Sequence, residues 1–214
     1  MAIKIFVTAT NTNIGKTYTT LALMEEAAKQ GLRPAAFKPI ETGVINHQPA
    51  DGTQLLTTMH RLNPSAKEVT IDDIVPFQFE LPAAPYVAKG EQAIPFEPII
   101  EKLKRVEEVC DILFIEGAGG LLVPIDERHF MIDLPKIFDA HTLLIAPSRL
   151  GSINDTLLSM EALQHREIDF TLAVNLYEDR ESFSSITEPY YINAGVSYYL
   201  LPRDISHLMS KLSS

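Results

Sequence analysis

The stretch IKIFVTATNTNIGKTYTT, residues 3–20, decides the fold of this chain. Four of its first five residues are apolar, and their β-branched and aromatic side chains predict a short buried strand. Residues 8–14 are polar and predict a loop. Gly15-Lys16-Thr17 then opens a segment whose apolar residues follow the helical period until Gly31. A strand, a loop, Gly-Lys-Thr and a helix in this order predict a phosphate-binding loop.

Phosphate chemistry gives this loop specific roles. Backbone N–H groups and the positive end of the helix dipole hold phosphate oxygens. Lys16 would reach the terminal phosphates, and the Thr17 hydroxyl would bind the accompanying magnesium ion. A standard loop has glycine five residues before Gly15, where this chain has Thr10 preceded by Ala9, so a chance Gly-Lys-Thr at a helix start is the alternative. The flanking strand and helix favour nucleotide binding.

The composition limits the classes of function. The 214 residues suit one domain, and 46% apolar with 21% charged residues is ordinary for a soluble globular protein. A net charge of -10 and a pI near 5.0 argue against bulk nucleic-acid or anionic-membrane binding, because the mean field repels both. We find no signal-peptide pattern, and no apolar run nears the roughly 20 residues that span a bilayer. We therefore expect a cytoplasmic protein.

The thiol and imidazole side chains give no sign of a catalytic or metal site. Cys110 is the only cysteine, which excludes an internal disulfide and fits a reducing cytoplasm. It precedes an apolar run, so a packing role is favoured over a nucleophile. The six histidines lack metal-ligand spacing, and we interpret them as surface or packing residues.

Charged residues follow predicted strands. Residues 34–37, PAAF, predict a strand ending at Lys38, because a residue before proline is held extended. Lys38 then lies at a carboxyl strand end, where open α/β sheets bind ligands, although an exposed lysine at a turn fits equally well. Residues 40–43 favour a loop of the site. Asp51 precedes a helix predicted over 52–61 and would cap it, contact magnesium, or do both.

A second carboxylate has a comparable position. Residues 112–115 are apolar throughout and predict a buried parallel strand. The strand ends in Glu116, and the glycine-rich residues 117–120 follow it, which lets the backbone approach a phosphate closely. A buried Glu116 requires a nearby cation. The alternative is an exposed glutamate at a glycine-rich turn.

The remaining elements continue the alternation of strands and helices. Strands are predicted over 141–146, 170–174 and 196–201. Helices are predicted over 96–109, over 130–138, from a cap at Ser152 or Asn154 to about His165, in broken form over 181–193, and over 204–214 without a strong amphipathic anchor. A flap over 76–98 contains five prolines and a short helix near Tyr86. This order predicts a single doubly wound α/β domain over residues 1–214, with a mostly parallel sheet flanked by helices.

Several segments together resemble the dethiobiotin synthetase family. FVTATNTNIGKT (6–17) is similar to its variant phosphate loop, whose leading glycine corresponds to Ala9. FKPIETG (37–43), LPAAPY (81–86), EGAGGLLVPI (116–125) and RLGSIN (149–154) resemble its Lys-Pro segment, substrate flap, Glu-Gly-Ala-Gly-Gly stretch and Leu-Gly-x-Ile-Asn turn. These segments match in order and spacing from residue 3 to about 165. The resemblance implies a P-loop nucleotide hydrolase-like fold.

The resemblance also implies a reaction of biotin biosynthesis. The family joins 7,8-diaminononanoate (7,8-diaminopelargonate) to CO2 with ATP, giving dethiobiotin, ADP and phosphate. An amine captures CO2 as a carbamate, the carbamate takes the γ-phosphoryl as a carbamic-phosphoric anhydride, and the second amine closes the ring. Magnesium as cofactor, and a homodimer that completes the substrate site across its two-fold axis, are implied as well.

Site residues carry over from the family's motifs. Lys16 and Lys38 are the implied catalytic residues, Lys38 lying between carbamate and γ-phosphate. The implied magnesium ligands are Thr17, Asp51 and Glu116. The implied nucleotide-binding residues are Thr12, Asn13, Ile14, Gly15, Lys16, Thr17, Tyr18, Asp51, Glu116, Gly119, Asn175 and Pro202. The implied substrate-binding residues are Thr12, Lys38, Thr42, Gly119, Leu150, Gly151, Ser152, Ile153 and Asn154.

The chain departs from the family after residue 170. The family commonly has Asn-Asp there, a pair that recognises adenine, whereas this chain has Asn175-Leu176. We therefore expect a nucleotide held mainly by its phosphates, with GTP or CTP partly accepted.

Two other classes fit less well. A partitioning or positioning ATPase of the related group has a second lysine five residues before the loop lysine, where this chain has Asn11. Such a protein often also carries a basic DNA surface or an amphipathic membrane tail, and the sequence shows neither. An amide ligase acting on a cobalt-corrin precursor usually carries a glutaminase domain with a reactive cysteine, which the chain length and the context of Cys110 oppose.

Overall fold

The computed structural model describes residues 2–177 and 180–214. Within these residues, strands and helices alternate along the chain. The strands are β1 (Ile3–Ala9), β2 (Pro34–Phe37), β3 (Ile40–Thr42), β4 (Phe77–Phe79), β5 (Ile112–Gly120), β6 (His141–Pro147), β7 (Phe170–Asn175) and β8 (Tyr199–Leu201). The α-helices are α1 (Lys16–Lys29), α2 (Ala50–Leu62), α3 (Ile71–Ile74), α4 (Pro85–Ala88), α5 (Phe96–Glu107), α6 (Leu134–Phe138), α7 (Ser152–His165), α8 (Arg180–Ser182), α9 (Glu188–Asn193) and α10 (Ile205–Leu212). Short 3-10 turns cover Pro64–Ala66 and Met131–Asp133, and a π-helical turn, Phe183–Thr187, joins α8 to α9.

Six strands form one parallel sheet in the order β2-β5-β1-β6-β7-β8. Consecutive residues Ile5, Phe6 and Val7 of β1 are fully buried. Because successive side chains of a strand point to opposite faces, both faces of the sheet are covered. The predicted fold class, a mostly parallel sheet flanked by helices, is confirmed. The carboxyl ends of these strands meet at one edge, where the predicted site residues lie.

Two predicted turns are extended backbone instead. Residues 40–42 form β3, which pairs in parallel with β4, so the predicted site loop at 40–43 is wrong there. The partner strand lies far along the chain, and no local signal announces it. β5 continues through its glycines to Gly120, beside Ala9 of β1. A Cβ at Gly120 would lie 3.0 Å from the Thr10 carbonyl oxygen, so glycine permits this close approach.

Two helix starts differ from the predictions. Pro49 is the N-cap of α2, so Asp51 lies in the first turn and does not cap it. Gly151, in the left-handed region at φ 88°, is the N-cap of α7, and the predicted caps Ser152 and Asn154 lie within the helix. Glycine suits this position because it carries no Cβ.

The C-terminal helix is anchored, contrary to the prediction. Leu208 and Met209 are fully buried in the core, Leu212 is nearly so, and α10 packs against α1. The apolar residues recur on one face at helical spacing, which the short segment showed only weakly. No helix in the described ranges, 2–177 and 180–214, is both long enough and apolar enough to cross a membrane.

Candidate active site

A cavity of about 450 Å³ opens at the carboxyl edge of the sheet, around the phosphate-binding loop. It brings together residues from the loop after β1, the start of α1, the segment after β2, α2 and the end of β5. Its lining residues are Thr12, Asn13, Gly15, Lys16, Thr17, Tyr18, Lys38, Glu41, Thr42, Asp51, Glu116, Gly117, Ala118 and Gly119. Most of the predicted nucleotide-binding residues therefore share one cavity.

The phosphate loop has the backbone that its sequence predicts. Gly15 caps α1 in the left-handed region at φ 93°, and a Cβ there would overlap the Asn175 side-chain amide. Lys16 folds back over the loop, where its Nζ donates to the carbonyl oxygens of Gly119 at 2.9 Å and Asn11 at 3.3 Å. The ammonium group thus lies at the mouth of the helix N-terminus, where phosphate oxygens bind.

Burial weakens the charge of Lys16. Removal from water lowers the pKa of its ammonium group to about 8, although the negative charge of Glu116 opposes the change. The nearby positive charge of Lys38 lowers the pKa further. A ligand with negative phosphate oxygens beside Lys16 would restore its full charge.

Lys38 is buried between two carboxylates. Its Nζ lies 2.6 Å from Glu116 Oε1 and 2.7 Å from Asp51 Oδ2. Burial alone would lower the pKa of Lys38, but the two carboxylates raise it above its ordinary value. Burial likewise opposes ionisation of Asp51, yet the charge and hydrogen bond of Lys38 hold its pKa below the ordinary value. The predicted cation beside Glu116 is therefore confirmed, and the exposed alternatives for Lys38 and Glu116 are wrong.

Oxygen atoms suited to magnesium converge at the same place. The Thr17 hydroxyl donates to Glu116 Oε1 at 2.8 Å, and Thr20 donates to Glu116 Oε2 at 3.1 Å. Asp51 Oδ2 contacts the same Lys38 Nζ as Glu116. Two carboxylates and a hydroxyl are hard oxygen ligands of the kind that magnesium prefers. Among the described residues, no group of three or more His, Cys, Asp or Glu side chains could hold a metal.

A second cavity of about 350 Å³ adjoins the first. The predicted substrate residues Thr12, Thr42 and Gly119 line both cavities. Residues 82–85 of the proline-rich flap and Val123 line the second cavity only. The flap therefore lies beside the phosphate loop, and a ligand could extend from one cavity into the other.

Other predicted residues lie outside these two cavities. Residues 150–154 line neither of them; Leu150 is 76% exposed, whereas Ser152 is fully buried and its N–H donates to the Arg149 carbonyl. Asn175 is buried and donates its amide to the Ile14 carbonyl at 3.0 Å, so it supports the phosphate loop from behind. Pro202 is exposed and lines neither cavity.

Sequence reasoning missed two polar residues of the site. Glu41 lines the main cavity and comes from β3, within the FKPIETG segment that was quoted only for its lysine and threonine. Thr20 lies one turn after Thr17 on α1, and that spacing could have placed it beside Glu116.

Comparisons with known proteins fix the family. A protein-family model described as an AAA domain matches residues 4–188. The ATP-dependent dethiobiotin synthetase BioD of Sulfurovum sp. is 49% identical over 187 residues, covering 87% of this chain and 89% of the relative. That of Wolinella succinogenes is 38% identical over 213 residues, covering 98% of both. The chain belongs to the dethiobiotin synthetase family.

Solved structures share the fold of this dethiobiotin synthetase family member. PAB0955, a GTPase from Pyrococcus abyssi, has a TM-score of 0.55 and 14% identity, covering 99% of this chain and 84% of its own. A plasmid partition protein from Borrelia burgdorferi has a TM-score of 0.56 and 9% identity, covering 100% and 97%. At such identities the likeness shows the P-loop fold alone, so the partition protein does not revive the ATPase alternative.

Proposed function

We propose that this chain joins 7,8-diaminononanoate to CO2 with Mg-ATP, giving dethiobiotin, ADP and phosphate for biotin synthesis. It is an ATP-dependent ligase. The observation that carries the proposal is the buried ammonium of Lys38, held by Glu116 and Asp51 beside the phosphate loop. An ammonium group at this position could neutralise the carbamate and the γ-phosphate, two anions that must approach each other in the reaction.

The reaction makes two C–N bonds. One amine attacks CO2, loses a proton and becomes a carbamate. A carbamate oxygen attacks the γ-phosphorus, and the bond to the ADP oxygen breaks. The second amine then attacks the carbamate carbon, phosphate leaves, and a second proton is lost as the ring closes.

The lysines would neutralise charge along this sequence. Lys16 would hold the β- and γ-phosphate oxygens, which its position over the loop supports. Lys38 would turn to the carbamate and the γ-phosphate, two anions that otherwise repel each other. Because phosphoryl transfer depends on positioning and charge stabilisation, loss of either ammonium should slow it strongly.

Thr17, Asp51 and Glu116 would hold the magnesium ion, directly or through water. When bound, the ion would neutralise charge on the β- and γ-phosphates. Thr17 contacts Glu116, and Asp51 and Glu116 contact the same ammonium group of Lys38, which supports the assignment. The backbone N–H groups of the loop and Asn13 and Tyr18 at the cavity wall would contact the nucleotide.

The diamine would occupy the second cavity, where Thr12 and Thr42 would bind its polar end. Its carboxylate would bind N–H groups at the start of α7, residues 151–154. These residues line neither cavity of their own chain, so a second copy would supply them. Exposed Leu122, Leu150 and Leu158 support such a homodimer, because a two-fold contact would cover them. The single reduced cysteine, Cys110, supports a cytoplasmic location.

The test is phosphate release from Mg-ATP with 7,8-diaminononanoate and bicarbonate, against reactions lacking each. We expect release only with all three, and collapse of that release in Lys38→Ala. Lys29→Ala is the matched control, because the Lys29 side chain is 70% exposed and lines neither cavity, so its loss should leave release unchanged. Phosphate release without the diamine would mean that the chain is a nucleotide hydrolase whose substrate is not assigned.

A further inference from the structure

Glu41 is a buried carboxylate that the proposed mechanism does not use. It lies on β3 and is 5% exposed. Burial raises the pKa of Glu41, while the charge of Lys38 and two backbone donors oppose the rise. A carboxylate in such a place is costly unless hydrogen bonds satisfy it, so its partners indicate its purpose.

Those partners are two backbone amides in the first turn of α2. Glu41 Oε1 accepts from the Asp51 N–H at 2.9 Å, and Oε2 accepts from the Gly52 N–H at 2.9 Å. The amides at a helix start have no partner within the helix, and the N-cap residue, Pro49, offers no side-chain acceptor. Glu41, which lies on strand β3, therefore caps this 13-residue helix.

The same contacts fix the position of Asp51. Its backbone is held by Glu41, and its carboxylate meets Lys38 Nζ at 2.7 Å. Lys38 and Glu41 are only three residues apart, so the segment 38–41 is joined to the start of α2 both by the ion pair of Lys38 and by the hydrogen bonds of Glu41. Close packing adds to this, because a Cβ at Gly52 would overlap the Val75 side chain.

Glu41 lines the cavity, but both of its carboxylate oxygens are bound to the backbone of α2. Each of its oxygens already takes a backbone N–H, whereas Asp51 uses its carboxylate on side chains. We propose that Glu41 is a positioning residue, which orients the Asp51 carboxylate for the magnesium ion of the nucleotide complex. The inference rests on the proposed function, and it concerns only how the site holds metal and nucleotide.

The test measures ADP affinity by calorimetry, with Mg²⁺ and with EDTA, in the full-length protein. Loss of a residue that supports a metal ligand typically costs about 10- to 100-fold in metal affinity. We expect Glu41→Gln to reduce the gain in ADP affinity from Mg²⁺ by at least about tenfold, with the EDTA value unchanged. The amide keeps one acceptor and places N–H donors against a backbone N–H, so it cannot hold both amides.

A double-mutant cycle separates positioning from general weakening. When Glu41→Gln is added to Asp51→Asn, the Mg²⁺ dependence should hardly change further, because the Asp51 carboxylate that Glu41 is proposed to orient is already missing. Glu41→Asp, which shortens the side chain by one CH2 group, provides the same test if Glu41→Gln does not fold. Asp133→Asn is the matched control, since Asp133 also accepts a backbone N–H at a helix start, that of Phe130 at 2.8 Å, but far along the chain from Asp51.

Three results would overturn the inference. They are an unchanged Mg²⁺ dependence in Glu41→Gln, an equal change in Asp133→Asn, and additive effects of Glu41→Gln and Asp51→Asn. None of these readouts needs the diamine, so they stand apart from the phosphate-release test of the proposed function.

Discussion

Lys38 and Glu116 form a buried ion pair, with Nζ 2.6 Å from Oε1 and side chains 4% and 0% exposed. Neither group could be buried alone without a large cost in free energy. The pair therefore holds the Glu116 side chain at the sheet edge, next to the phosphate loop. A magnesium ion that takes this carboxylate would release the lysine toward the substrates.

We predict that Lys38→Met destabilises the protein in EDTA by about 3–5 kcal/mol, because it leaves two carboxylates without their cation. Mg²⁺ should restore part of this loss in the variant and have little effect on the wild type, since Lys38 already neutralises the carboxylates there. Thermal and urea unfolding with Mg²⁺ and with EDTA measure both effects. Lys29→Met, which removes a lysine whose side chain is 70% exposed, is the control. Equal responses to Mg²⁺ in wild type and variant would show that these carboxylates do not bind the ion.

Burial of the Cys110 thiol makes the stability of the protein depend on pH in the alkaline range. Removal from water raises the pKa of its thiol to about 12, helped by the negative charges of Glu107 and Asp111. Above about pH 9 the unfolded chain loses this proton and the folded chain keeps it. The folded state then binds more protons than the unfolded state, so stability falls as pH rises.

The stability advantage of wild type over Cys110→Ala should therefore shrink by about 1.4 kcal/mol per pH unit between pH 9 and 12. Urea unfolding of both proteins over this range gives the difference directly, and every other titrating group cancels. A stability difference between the two proteins that stays constant with pH would contradict the raised pKa of the Cys110 thiol. Native Cys110 should also resist thiol reagents until the protein unfolds.

Local sequence signals predicted the parts of the site that lie next to their own strand. Lys38 and Glu116 each end an apolar run, and parallel strands bring such ends to one edge whatever the details of packing. The role of Glu41 depended on β3 pairing with β4 and on α2 starting beside it. Both are contacts between segments distant in the chain, so periodicity and spacing within one segment could not show them.

The sequence did not predict the anchoring of α10, for the same reason. Its amphipathic face is short, and only the groove beside α1 makes it a core element. Leu208→Ala should lower the free energy of unfolding by about 2–5 kcal/mol, as for other large core residues. Ile192→Ala is the control, because Ile192 is 68% exposed and should change stability by less than about 0.5 kcal/mol. Equal urea midpoints for the two variants would contradict this account.

Weak discrimination between nucleotide bases is the remaining expectation. The family's adenine-recognising Asn-Asp pair is replaced by Asn175-Leu176 in this chain. The Asn175 side-chain amide already donates a hydrogen bond to the Ile14 carbonyl. The Tyr177 hydroxyl likewise donates to the Asn13 carbonyl at 2.9 Å. Asn175 and Tyr177 thus support the phosphate loop, whereas strong discrimination would need polar groups directed at the base.

We therefore expect kcat/KM for GTP and CTP to lie within about a hundredfold of that for ATP, since a site lacking base-specific hydrogen bonds discriminates by only a few kcal/mol. Steady-state kinetics with each nucleotide, at saturating diamine and bicarbonate, measure the ratios. Leu176→Asp, which recreates the family's pair, should raise the preference for ATP. A preference beyond a hundredfold in the wild type would mean that other residues contact the base.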